Sequence, residues 1–445
     1  MNTRQVVFSP TVLLFCLSLV GCAHYHADPL PTAPDLQRTP QLTVTAREFW
    51  LPGLTEHAVS TSGLDQTTVM TLAVFNNPNL KAARLQAGIA GAQLLQAGLL
   101  PDPQFNTGFA TSALNYGGAL GLNQQIQTLL TRGAAKAAAR ASAQQVNLNI
   151  LWQEWQVAEQ ARELFIQTRT NSQLLSVLRS ARLLVANRYL CDRAAMQRGD
   201  ATAATVATDL YTLSSADASL RQLQAQISLN HQTLNALLGL DPSVHLHLIG
   251  PISVPALSDA EYRSAAAALP HHRADLLALQ AGYQSQEETL RRAILAQFPA
   301  LSAGVELERD PVEGVNAGGP EISLSLPLFN RNRGQIAIER ATRAVLRQTY
   351  QARLDSAQSQ TEQVWQASKI LTAQLKQLDV QLPELAQAAD AAQQSLRKYN
   401  LNAALYVTLE SNLLGKQAEE IRLRESLESA RSALRTLLGL PFDAP

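Results

Sequence analysis

The stretch Glu321 to Gly334 reads EISLSLPLFNRNRG, and its pattern decides the fold. Ile322, Leu324, Leu326 and Leu328 alternate with Ser323, Ser325 and Pro327, the period of two that a half-buried strand shows. One face is aliphatic and the other hydroxylated, which suits a strand with lipid outside and water inside. Read as a strand from Gly319 to Leu328, it has Leu324 near its middle. Asn330 to Gly334 is a polar turn, and from Gln335 the chain takes on an Ala, Gln and Arg helical composition for roughly sixty residues. The arrangement occurs earlier too: Gly118 to Gln127 leads through a turn at Thr131, Arg132 and Gly133 into another long helix.

The rest of the chain repeats in the same way. Leu234 to Leu240 (LNALLGL) ends a first half, and Leu434 to Leu440 (LRTLLGL) ends a second, 200 positions later. Pro78-Asn79-Leu80 matches Ala274-Asp275-Leu276, Arg132-Gly133 matches Arg333-Gly334, and Arg198-Gly199-Asp200 matches Tyr399-Asn400-Leu401. In the last pair Asn replaces Gly, the other residue that tolerates the left-handed conformation. Two copies of one plan result, at residues 64–250 and 251–445, far fewer than a solenoid array.

Each copy reads helix, strand, strand, long helix, turn, helix. In the first, a helix from about Asn79 to Ala97 precedes strands near Gln104 to Ser112 and Gly118 to Gln127. Helix follows from about Ala134 to Leu190, bends near Arg198-Gly199 and continues to Leu238. In the second, the capping box Ser258-Asp259-Ala260-Glu261 opens a helix that Pro270 breaks and that resumes to Ala296. Strands near Ala300 to Arg309 and Gly319 to Leu328 lead to helices ending near Lys398 and Leu438. A helix of roughly 57 residues extends about 85 Å, longer than any compact domain, so these helices must associate laterally. Leu174, Leu178, Ala181 and Val185, and likewise Leu413, Leu414, Ala418 and Ile421, form stripes suited to that association.

Composition narrows the function. The 445 residues are 46% hydrophobic, 5% aromatic and 16% charged, with 36 Lys and Arg against 36 Asp and Glu. A balanced charge without a basic run argues against nucleic acid. No apolar run beyond the amino terminus reaches the eighteen or so residues of a membrane-spanning helix, so any entry into a membrane is by strands. No nucleophile motif or phosphate loop occurs, and His245-Leu246-His247 and His271-His272 lack nearby partners arranged for a metal. The chain reads as no enzyme, with no cofactor and no metal.

The amino terminus is a targeting segment. Arg4, the apolar run Thr11 to Val20, and Leu19-Val20-Gly21-Cys22 describe a secretory signal over residues 1–21. The tetrapeptide Leu19 to Cys22 resembles a bacterial lipobox, which implies cleavage before Cys22 and acylation of its thiol. Ala23 at the next position resembles lipoproteins sent to the outer membrane. With Cys16 lost, Cys191 is the one remaining free thiol, and its expected role is packing. Residues 22–63 are rich in Pro and Thr and read as an extended tether; His24 and His26 within it are solvated.

Four strands per chain cannot close around a pore, and an open sheet edge cannot face lipid. Since the smallest closed barrels have about eight strands, several chains must contribute; a cyclic trimer would supply twelve strands and twelve helices. Here the chain resembles the TolC-type outer-membrane efflux family from about Asp65 to Leu440. The residues that carry the resemblance are Asn77 to Leu80, Gln96 to Pro103, Leu326 to Phe329 with Arg333-Gly334, and the two Leu-Leu-Gly-Leu endings. The expected fold is therefore mainly α with a small transmembrane β part. It would comprise a long α-helical tunnel and a trimeric β-barrel to which each internally duplicated chain gives four strands.

The resemblance implies a lipid-anchored outer-membrane homotrimer with a large periplasmic part. It would be the passive exit duct of a tripartite efflux system, partnered by a periplasmic membrane-fusion adaptor and an inner-membrane pump. A type I secretion duct and a lipid-anchored coiled-coil scaffold are the alternatives. The reversals at Arg198, Gly199 and Asp200 and at Tyr399, Asn400 and Leu401 would form six turns at the tunnel tip, where the resemblance places adaptor docking. Asp209, Asp390 and Glu410 lie about ten positions from those turns, about 15 Å along a helix. They are candidates for a cation-attracting constriction or for solvated outer-face charges.

The lipobox reading is tested by Cys22→Ser. Metabolic labelling with a radioactive fatty acid should be lost in that variant, and labelling that persists would refute acylation at Cys22.

Overall fold

The computed structural model describes residues 25–41, 63–111, 116–252, 254–309, 315–398 and 402–441. The signal segment with Cys22, most of the tether, and the second reversal at Tyr399, Asn400 and Leu401 lie outside them. Residues 25–36 belong to a separate unit and carry neither helix nor strand. The body begins at Gln37, and its first residues are pinned. Gln37 donates its amide to Gly239 and accepts from that of Asp241, while Asn76 Nδ2 donates to the Gln41 carbonyl at 2.6 Å.

Helix α1 (Gln66–Asn76) starts at Asp65, whose carboxylate accepts the Thr68 amide, and α2 (Pro78–Gly98) starts at Asn77, which accepts two amides beside a first-turn proline. Strands β1 (Gln104–Thr111) and β2 (Tyr116–Gln125) lead into α3 (Gln127–Gln197) and α4 (Ala203–Leu237). The second copy follows as α5 (Asp259–His272), α6 (Ala274–Leu295), β3 (Ala300–Arg309), β4 (Asn316–Ser325), α7 (Arg333–Arg397) and α8 (Ala403–Leu438). The capping box at Ser258 and Glu261 forms as the sequence predicts. At 71 residues α3 is about 105 Å long, well beyond the expected 57.

Several boundaries differ from expectation, each for a local reason. No turn forms at Thr131 to Gly133: the Ile126 amide donates to Leu301 and the chain passes straight from strand to helix. Arg132 instead donates from Nε to the Gly98 carbonyl at 2.7 Å, satisfying an orphan group at the end of α2. The second copy does turn, with Arg331 and Asn332 at positive φ, and Asn332 Nδ2 donates to Ala293 near the end of α6. The break expected at Pro270 falls at Arg273, because Pro270 occupies the last turn of α5. Strand β4 stops at Ser325, so Leu324 lies at its end and Leu326 and Leu328 lie beyond it. Pro327 has no amide to pair, and Leu328 turns back onto Leu326. Cys191 is exposed in the chain rather than packed.

The helices form a layer one helix thick. α3 packs on α2 and α4 on one flank and on α6 and α8 on the other, and α7 packs on α6 and α8. Each long helix is thus accompanied by two shorter ones placed end to end. Gly239 and Gly439 make this joint. Each is left-handed (φ 66° and 70°), donates to the carbonyl three residues back, and lets the next residue bond five back, the helix-ending motif that favours glycine. A Cβ on Gly239 would meet the Asn76 carbonyl oxygen at 2.9 Å, and one on Gly439 that of His272 at 3.0 Å. The carbonyl end of α4 therefore sits against the start of α2, and that of α8 against the start of α6. Asn77 Nδ2 donates to Leu237, and Arg273 Nη1 to Leu437, across these joints.

Each Leu-Leu-Gly-Leu ending buries its leucines in its own core. Leu234, Leu238 and Leu240 join Val69, Leu72 and Phe165, whereas Leu434 and Leu438 join Leu276, Trp365 and Tyr262. The two predicted stripes pack on one another, Leu174 and Leu178 of α3 against Ala418 and Ile421 of α8.

Two glycines give opposite expectations. Gly239→Ala meets both a left-handed backbone and the Asn76 carbonyl, and should lower stability by more than the roughly 1–2 kcal/mol of the backbone conformation alone. Gly133→Ala, exposed in mid-helix with nothing within 4 Å of its new Cβ, should raise stability by up to about 1 kcal/mol. Thermal unfolding of both variants checks the signs.

Candidate functional site

The sheet runs β1-β2-β3-β4, antiparallel throughout, and its register assigns every side chain to a face. Residues paired directly opposite share a face. Phe105 opposes Leu122, which opposes Val305; Thr107, Leu120 and Leu307 form the next row, and Leu301 opposes Leu324 and Ala303 opposes Ile322. These rows make one apolar face continuous over four strands, as the alternation predicts. It is uncovered in the chain: Phe105 is 66% exposed, Leu307 61% and Ile322 73%.

The other face is polar. Asn106, Gly121, Glu306 and Gly319 form one row, and Gly304 opposes Glu321. Glu306, Glu308 and Glu321 all lie on this face, and the register places no basic residue there. The apolar alternation alone does not single them out, although each occupies the alternate position that the period of two assigns to water. Pro320 lies on β4, which within the chain is paired on one side only.

At the far end of the long helices the first reversal is built from the same cap as the two joints. Gly199 (φ 84°) donates to Met196, Asp200 donates to Ala195, and Thr202 opens α4 by accepting the Thr205 amide. Nothing lies within 4 Å of a Cβ placed on Gly199, so glycine serves the backbone conformation here and not a close approach. Arg198 Nε lies 3.3 Å from Asp200 Oδ2, both side chains being exposed.

The three acidic residues near the reversals part company. Asp390 on α7 is exposed and Glu410 on α8 is half-buried. Asp209 is buried in the α3–α4 seam, its Oδ1 2.9 Å from Arg188 Nε, with Asp192 sharing the same guanidinium at 3.5 Å. Burial, reinforced by Asp192 and opposed by Arg188, raises its pKa. Asp209 is thus an ion-pair partner of Arg188 within the chain. A partner 21 residues upstream on another helix is invisible to spacing.

A further carboxylate holds the two copies together. Glu159 of α3 accepts from Ser432 at 2.7 Å and Thr436 at 2.9 Å, both on α8. Desolvation lifts its pKa above the ordinary value despite those two donors. Among the described residues no group of three His, Cys, Asp or Glu could hold a metal ion, and no helix is long and apolar enough to cross a membrane.

A duplicated chain with a four-stranded sheet at one end of paired long helices is a fold that solved outer membrane channels share. No family model matches the chain, and no curated protein does. Solved structures do match it in fold. VceC, the outer membrane protein of Vibrio cholerae, is 19% identical with a TM-score of 0.69, covering 85% of this chain and 97% of its own. The CmeC outer membrane channel of Campylobacter jejuni is 15% identical with a TM-score of 0.68, covering 95% and 96%. The MtrE outer membrane channel of Neisseria gonorrhoeae, in its open state, is 14% identical with a TM-score of 0.68, covering 92% and 98%.

The environment of Glu159 sets a pH dependence. With its folded pKa raised, the native chain holds this proton more tightly than the unfolded chain. That favours the native state below the ordinary carboxylate range and is lost as pH rises through the raised value. Glu159→Gln keeps an acceptor for the hydroxyls and removes the ionisation. Its melting temperature relative to the parent should therefore climb between about pH 4 and about pH 8, and an unchanged difference would contradict the raised pKa.

Proposed function

We propose that this chain is the outer-membrane channel of a tripartite efflux system, a passive duct for exported small molecules or ions. The observation that carries the reading is the uncovered apolar face over β1 to β4, bounded by two unpaired edges. Such a face is stable only against hydrocarbon, and such edges are satisfied only by strands of other copies. A homotrimer would join β4 of one chain to β1 of the next and close twelve strands. Its apolar rows would meet lipid and its Glu306, Glu308 and Glu321 would line the lumen.

The same ring would close the helical layer, whose free flanks are α4 with α2 on one side and α7 on the other. Acylated Cys22 would add a lipid anchor. The tips at Arg198, Gly199 and Asp200 and at Tyr399, Asn400 and Leu401 would meet a periplasmic adaptor and through it an inner-membrane pump. Asp390 and Glu410 remain the acidic residues free to border a constriction at that end.

The facing of the sheet is the testable core. Val305, on the apolar face at the centre of β3, replaced by Arg should cost about 2–4 kcal/mol and lower the amount of trimer recovered from outer membranes. Glu306→Gln, its neighbour on the polar face, should leave insertion unchanged and reduce the cation preference of the reconstituted channel. Equal loss of insertion from both would overturn the assignment of faces.

A further inference from the structure

We propose that His231 and His245 form a binding site for one divalent ion of the borderline class, Cu²⁺, Ni²⁺ or Zn²⁺. The two residues are 14 positions apart, on either side of the Gly239 reversal. His231 lies on α4. His245 lies on the segment that returns beside it, in which Val244 and Leu246 pack on the first core and Leu248 is buried within it. This alternation leaves His245 on the outer side, exposed.

The segment is held firmly. Asn235 Nδ2 reaches the carbonyls of Asp241, Pro242 and Val244 at 3.3, 3.4 and 2.8 Å, and the Ile249 amide donates to Leu64. The backbone that carries His245 is thereby fixed next to α4 before any ion arrives.

The two imidazole centroids are 5.2 Å apart with their planes 31° from parallel. Two imidazoles bound through nitrogen to one tetrahedral ion, at about 2.0–2.1 Å each, hold their centroids about 5 Å apart. The pair already stands at that separation. His231 Nε2 is sealed from solvent and has no hydrogen-bond partner among the described residues, a costly state for a polar atom and one that coordination of its lone pair would relieve. Imidazole ligands without a carboxylate select borderline transition ions over Mg²⁺ and Ca²⁺, which require oxygen. Water would complete the coordination, and a bound ion would tie the segment between the two copies to α4.

The test uses the full-length protein, purified without a histidine tag, on a His24→Ala, His26→Ala, His57→Ala background that removes the histidines preceding the first helix. Titration with Cu²⁺ followed by electron paramagnetic resonance should show one equivalent with the nitrogen couplings of two imidazoles. His245→Ala, a change at an exposed position that should keep the fold, is expected to leave a single nitrogen and weaken binding about ten-fold or more. His231→Ala should do the same, while His271→Ala should not. Zn²⁺ should raise the melting temperature of the parent and not of His245→Ala. A parent spectrum with fewer than two imidazoles, or one unchanged by His245→Ala, would overturn the site.

Discussion

β1 and β4 are hydrogen-bonded along one side only, and that constraint shapes everything else. An unpaired peptide group in hydrocarbon costs several kcal/mol, so a four-stranded sheet with an apolar face has no stable existence in lipid by itself. Polar groups along both edges and aliphatic rows across one face demand opposite surroundings, and only further strands at the edges reconcile them. The helical layer has the same incompleteness, with α2 and α4 free on one flank and α7 on the other. A single chain leaves both edges of its sheet and both flanks of its helical layer open.

The wall is long because of how helices are joined. A rod of about 105 Å is matched by two shorter helices placed end to end, and the joint needs a reversal that occupies almost no space. The left-handed glycines at 239 and 439 supply it, each so close to a neighbouring helix end that a Cβ would stand about 3 Å from the carbonyl oxygen of Asn76 or His272. At Gly199 the same cap faces open space. One local motif thus performs two tasks: a tight joint in mid-wall and a free turn at its end. The copies differ in what bridges the joint, a neutral Asn77 in one and the buried Arg273 in the other. Arg273 is held by Asp275 at 2.8 Å and lies over the Trp152 ring.

Much of this was legible in residue order. The period of two through Ile322 and Leu324 put both on the face where the register puts them. The Leu-Leu-Gly-Leu endings marked both joints, and the stripes at Leu174 and Ala418 found each other. What misled was punctuation. Gly133 resembled a turn because Arg333-Gly334 follows one, yet only Asn330 to Asn332 supplies the left-handed residues that turn the chain. Pro327 and Pro270 ended elements a few residues away from where their neighbours suggested, since proline removes one amide and leaves the next bond to the surroundings.

The sequence by itself determined the repeated element order and the facing of the strands, because these depend on periodicity and on the fixed requirements of the peptide group. Tertiary structure alone decided the fate of individual polar residues. Asp209 lies near a reversal in the chain but is spent on Arg188 in a seam. Glu159 meets hydroxyls more than 270 positions away, and His231 stands beside His245 only because Gly239 folds one back along the other. Such pairings depend on which helix faces meet and on how the chain reverses, and spacing along a sequence holds no record of either.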